Sequence, residues 1–313
     1  MSDTNKPYVC TLSKELQEKA KKELHETPEG REQGLKALRE KTHTRPDIKF
    51  RTDDAFLLRF LRARKFDVNR AFKNLVAYYE IRHEYPEVFD NLEVDKLKYI
   101  WEEGLDGMFP GKDSEGRRVG VFRPGKLDVD KYSVKDMARA SVLTIEKMLE
   151  DEESQITGVV MIGDFADYTA KHALHNGPSF AKLMMSITES AMPIRNKGVH
   201  FVNTPSIFEA GMAIWSVFMT EKMKKRIRVH GDEYGTLHKY IPSANLPSDY
   251  GGTQPSVTEC TTKWMKELQT WETKYIAEND KYGIPKMKDA LGKDAKTIDP
   301  SGGLVGSFKK IEL

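Results

Sequence analysis

Seven basic residues bracket one greasy run late in this chain. Arg195 and Lys197 precede it, and Lys222, Lys224, Lys225, Arg226 and Arg228 follow it. Between them residues 207–219, IFEAGMAIWSVFM, carry one charge, Glu209. Cations beside an apolar segment suit a non-covalent chemistry: capture of anionic headgroups at a lipid surface, with greasy side chains entering beside them. A core helix followed by a solvated charged helix fits the same pattern, and periodicity alone does not separate the two.

Other candidate chemistry is sparse. His172 and His175 lie three apart in TAKHALHNG, a spacing that suits a metal, but no third ligand stands nearby, so a polar helix face is the plainer reading. Asp164 and Asp167 follow an apolar run, where open α/β sheets gather ligands and where helix caps also sit. Residues 150–153, EDEE, read as a solvated helix end. GKDSEG lacks the lead and the trailing Ser or Thr of a P-loop and suits a charged hairpin turn. There is no G-x-S-x-G elbow and no G-x-G-x-x-G after a strand. No catalytic residue, cofactor or metal site is expected, although a scaffold alone does not exclude an enzyme.

The elements that must position the basic residues belong to a chain of 313 residues with 39% hydrophobic side chains, enough for one large or two modest cores. Net charge is only +2, so any anion binding must come from local clustering. Two distant cysteines, Cys10 and Cys260, suit a reducing cytosol better than a disulfide framework. No run of about 18 apolar residues exists to span a bilayer. The first residues hold no apolar signal core, and Ser2 stands where N-myristoylation needs glycine.

Caps and periodicity predict helices starting after Ser13, near Pro28, after Asp53 or Asp54, and over residues 68–84. In the third, Phe56, Leu57, Phe60 and Leu61 form an apolar stripe flanked by Arg59 and Arg62. Beyond residue 101, strands are expected over residues 119–122, 156–165, 198–203 and 226–231. Helices from Ser133 to about residue 152 and over residues 179–190 intervene. This alternation argues for a parallel α/β sheet. A further helix is expected over residues 261–278, then a loosely ordered tail, SGGLVGSFKKIEL.

FLLRFLRARKFDVNRA, IEKMLEDEESQITGVVMIGDF, GVHFVNTPSIF and LPSDYGGT, in that order, resemble the CRAL-TRIO (Sec14-like) lipid-transfer family, most of all its retinaldehyde-binding and α-tocopherol-transfer group. The match runs from about residue 12 to 253. The resemblance implies a helical N-terminal domain (1–90), a lipid-binding domain (91–255) and a C-terminal helix with a tail (256–313). Within the second it implies a mostly parallel sheet, flanking helices and a mobile gate helix, 206 to about 219, over an apolar cavity. It implies a pocket wall of Ser141, Ile145, Ile162, Met184, Ile187, Thr188 and Ile194, and gate positions Ile207, Phe208, Met212, Trp215 and Met219. It implies that Arg195, Lys197, Lys222 and Arg226 contact phosphoinositide headgroups; the last two, four apart, would share one helix face. The retinaldehyde-binding pattern has tyrosine where this chain has Ser141 and an acid where it has Gly163; Ser141 matches a small polar residue of the tocopherol-transfer pocket.

The expected protein is thus a monomeric, non-enzymatic carrier of a tocopherol-like, retinoid-like or other lipid. It is expected in the cytoplasm, visiting endosomal or plasma membranes and releasing ligand at phosphoinositides, with no nucleic-acid partner. The alternative is a phosphoinositide-binding trafficking adaptor without cargo transfer.

Overall fold

Side-chain caps set the first helix boundaries. The structure, a computed structural model, describes residues 8–285; the tail at 301–313 lies outside the described residues. Ser13 accepts from the Leu16 N–H at the start of α1 (Lys14–Leu24), and Thr27 from the Gly30 N–H at the start of α2 (Pro28–Thr42). Asp53 and Asp67 do the same for α3 (Asp54–Ala63) and α4 (Val68–Glu84). Each cap satisfies an N–H that the first helical turn leaves open, worth about 1 kcal/mol. Two more helices, α5 (Pro86–Phe89) and α6 (Val94–Glu102), were not predicted, and α6 carries the helical part past residue 90.

The stripe on α3 is buried as expected, but so are its flanking arginines. Arg62 is 0% exposed and donates to Glu26 (2.9 Å), Glu152 (2.8 Å), the Gln155 side-chain oxygen (2.8 Å) and the Tyr8 hydroxyl (3.0 Å). Of the acidic run at 150–153 only Glu150 is therefore an exposed end. Asp151 caps a short helix, Glu152 meets Arg62, and Glu153 pairs with Lys112 at 2.7 Å. Charges so deeply buried are tolerated only when paired and hydrogen-bonded. The network ties the N-terminal helices to the sheet domain.

Five strands form one sheet in the order β1 to β5: β1 (Asp106–Lys112), β2 (Arg118–Phe122), β3 (Val159–Asp164), β4 (Asn196–Val202) and β5 (Ile227–Gly231). β1 pairs antiparallel with β2, and the remaining neighbours are parallel. The crossovers are α7 (Val134–Met148) with α8 (Glu152–Thr157), then α9 (Ala170–His175) with α10 (Pro178–Met185), then α11 (Phe208–Ser216) with α12 (Glu221–Lys224). After β5 come α13 (Tyr234–Leu237) and α14 (Val257–Asn279). β1 was not expected: no strand was predicted over residues 106–112, and its last residues, Gly111 and Lys112, open the GKDSEG run that reads as a turn. At the sheet edge its Pro110 has a tolerable place, because no strand lies beyond it. β3 starts at Val159 rather than residue 156, because residues 156 and 157 finish α8, which ends at Gly158 with φ 87°.

The sheet's two faces differ. Val119, Val121, Val160 and Ile162 pack with Leu246 and Tyr250 of the closing turn. There Tyr250 donates to Asp164, and Gly252 approaches so closely that a Cβ would lie 1.9 Å from the Leu246 carbonyl oxygen. The opposite face, through Val159, Met161, Val199 and Phe201, lines a cavity.

Candidate functional site

The cavity lies between that sheet face and the helices α7, α10 and α11, with a volume of about 190 Å³. Its wall is apolar apart from a small group that includes Asp106, Ser141 and Thr144. Nine of the chain's 13 methionines line it, among them Met137, Met161 and Met212. Methionine is unbranched and polarizable, so a wall built from it can reshape around its contents.

Ser141, Ile145, Met184, Thr188 and Ile194 all line the cavity. Ile162 and Ile187 do not. Ile162 points to the other face of β3, in the cluster with Tyr250. A continuously apolar strand hides its parity, and a shift of one residue exchanges its faces. Ile187 is 0% exposed in the main core, turned there by the π-helical winding of Ser186–Ala191. Gly163 has no room for the acid of the retinaldehyde pattern, since a Cβ would sit 2.6 Å from both Phe122 and Phe201.

The helix over the cavity, α11, is shorter than the expected 206–219. Met212, Trp215 and Met219 face the cavity, and Trp215 meets Phe180 of α10 edge-on at 6.0 Å. Phe208 lies beneath them, 4.8 Å from Phe165 and 5.0 Å from Phe201 between ring centres. Ile207 is at the N-cap and does not line the cavity. The outward residues Ala210, Ala213 and, at the C-cap, Val217 are exposed, so the outer side of α11 is apolar apart from one exposed charge, Glu209, in its first turn.

The four basic residues do converge, though not on one helix face. α12 is a four-residue helix that carries Lys222; Arg226 lies past its end and donates to the Asn196 carbonyl. Arg195 and Lys197 reach Glu23 of α1, at 2.8 and 3.1 Å. Burial lowers the pKa of Lys222, and the positive charges of Arg226, Arg64, Arg70 and Lys65 lower it further. Arg226 is lowered by burial and then by Arg195 and Arg117. One nitrogen of Arg195, Nη1, is buried without a hydrogen-bond partner. Cations that depress one another beside an unsatisfied donor form a site short of anions.

Arg64, Lys65, Arg70, Arg117 and Glu23 were not among the expected residues. RARK and VNR were on view as a motif, but no local signal says that α3 and α4 come up against a segment more than 100 residues later. The remaining candidates have structural partners. Asp164 accepts from Arg123 (3.1 Å), Asn203 (2.8 Å) and Tyr250 (3.1 Å). Asp167 pairs with Lys126 at 2.6 Å. His172 caps α9 against Thr169, and its other ring nitrogen lies 3.0 Å from the Leu127 carbonyl. Among the described residues no group of three or more His, Cys, Asp or Glu could hold a metal ion.

A single sheet with a methionine-lined chamber under an apolar helix defines a protein built to enclose something greasy. Residues 103–252 match the CRAL/TRIO domain, and residues 27–98 match the Pinta-like UBA domain. The human alpha-tocopherol transfer protein-like protein is 39% identical over 94% of this chain and 85% of its own length. Human clavesin-2 is 37% identical over 88% of this chain and 85% of its own. A solved chain described as the crystal structure of Sfh5 covers 84% of this chain and 100% of its own at 14% identity, with a TM-score of 0.47. The chain belongs to the CRAL/TRIO family, whose members bind and transfer lipids. Among the described residues no helix is long and apolar enough to cross a membrane.

Proposed function

We propose that this protein carries one hydrophobic molecule in the cavity and releases it at membranes that display phosphoinositides. The observation that carries the reading is α11, which offers Met212 and Trp215 to the cavity and, with its C-cap, Ala210, Ala213 and Val217 to the outside beside the single charge of Glu209. A helix apolar on both sides but for one charge near its start suits one that leaves a greasy chamber for a greasy surface. Arg195, Lys197, Lys222 and Arg226 follow or precede it closely in the chain, where anionic headgroups would hold the protein while α11 swings. The membrane needs only to bind the open state better than the closed one for docking to favour release.

The ligand is tocopherol-like, retinoid-like or another lipid of similar bulk. The closed cavity is smaller than the roughly 300–1,000 Å³ of typical ligand sites, so loading calls on the methionines and α11 to give way. Carriage is non-catalytic, and the protein works from the water side of endosomal or plasma membranes. The test is transfer of a fluorescent lipid between vesicles. Acceptors that contain phosphoinositide should accelerate it, and Trp215→Asp should slow it by placing a charge where α11 meets hydrocarbon. Equal rates for both acceptors, with Trp215→Asp as fast as the parent, would remove the proposal.

A further inference from the structure

The cavity holds one feature that an unspecific grease pocket does not need. Asp106, on β1, lines it and is 2% exposed. Ser141 donates to its Oδ2 at 2.8 Å, but its Oδ1 is buried and has no hydrogen-bond partner. Thr144 approaches the carboxyl and steadies its charge; the Thr144 oxygen already accepts from the indole N–H groups of Trp101 (3.4 Å) and Trp264 (3.2 Å). No cation among the described residues forms an ion pair with Asp106.

We propose that Asp106 is the head-group selector of the cavity, and that the preferred ligand is a hydrophobic alcohol whose O–H donates to the free Oδ1. This inference rests on the carrier reading and names the ligand class within it. A buried carboxyl oxygen without a donor costs free energy, and a bound alcohol would recover it. Burial pushes the pKa of Asp106 up to about 6, while the Thr144 and Ser141 hydroxyls favour the charged form; as a carboxylate the group accepts rather than donates. An ether, ester or aldehyde brings only acceptors and leaves Oδ1 unpaired. Sites built to hydrogen-bond one group reject analogues that lack it, whereas apolar walls discriminate weakly by size. The geometry also orients the ligand. β1 and β4 are three strand spacings apart, about 14 Å. A hydroxyl at β1 therefore sends the hydrocarbon along the methionines toward Val199, Phe201 and α11.

The experiment titrates the full chain with all-trans-retinol and with its methyl ether, read by polyene fluorescence. The two probes share a hydrocarbon and differ in the one donor. Retinol should bind about tenfold tighter or more, as expected for a hydrogen bond to a charged group. Asp106→Leu should bring the two affinities together while still binding the ether. Equal affinities in the parent protein overturn the selection and leave the carrier reading standing. If neither probe binds, the selection falls, and the carrier reading is decided separately by the vesicle-transfer assay. The parent ratio decides the matter even where the leucine variant fails to fold.

Discussion

Glu23→Gln separates two effects that one carboxylate now couples. Glu23 sits on α1 and accepts from Arg195 at 2.8 Å and Lys197 at 3.1 Å through the same oxygen. Burial raises its pKa, yet the hydrogen bonds and charges of Arg195 and Lys197 outweigh that and hold it at about 2 instead of 4.5. Such a shift is nominally about 3 kcal/mol. The carboxylate is 32% exposed, so water and salt reduce the contribution to about 1 kcal/mol. A depressed acid stabilises the fold above its unfolded pKa and ceases to do so as pH falls through its folded one. The stability gap between parent and variant should therefore be full at pH 7 and close between pH 4.5 and about 2. Membrane binding should move the other way. The variant gains one net positive charge and releases two cations, each worth about 1 kcal/mol near an anionic surface. Anionic vesicles should then bind roughly five- to thirtyfold more tightly. Co-sedimentation with phosphatidylcholine vesicles, with and without phosphatidylinositol bisphosphate, reads this directly, and neutral vesicles should show no gain. If the variant binds acidic vesicles no better than the parent, Arg195 and Lys197 do not meet the membrane, and their pairing with Glu23 is purely structural.

Lys222→Ala with Arg226→Ala should weaken binding to acidic vesicles by about 2 kcal/mol, roughly thirtyfold, while ligand affinity in the cavity stays within about twofold. Equal loss of both in a folded protein would contradict separate sites. Arg62→Met should destabilise the chain by about 3 kcal/mol, the low end for a broken buried pair, because Glu26, 3% exposed, then keeps only Arg31 at 2.9 Å. Denaturant titration measures this, and a change under about 1 kcal/mol would show that the Arg62 network is not what binds the N-terminal helices to α8.

Local signals made some of this structure readable. Ser13, Asp53 and Ser133 announced helix starts that the structure keeps. The order of strands and helices from Val119 onward announced a largely parallel sheet, and the motif order announced the family. What stayed hidden was set by parity or by long-range contact. Ile162 sits in a run apolar at every position, which carries no face information. Arg62 and the acidic run at 150–153 each look like solvated charge; only folding brings them together across 90 residues. Asp106 is a single acid in EGLDGMF, with no neighbour in sequence to mark it, and the strand that carries it was not predicted. Lys222 feels the charge of Arg226, but not along one helix face, since the helix that was to align them is four residues long.

The central claim is that this chain encloses one lipid. Its most direct test is mass spectrometry of an organic extract of the protein purified from its own organism, quantified against protein concentration. The account predicts close to one apolar molecule per chain, displaced when competing lipid is added. A protein that yields no such molecule, and takes up none when offered a panel of hydrophobic alcohols, would contradict it.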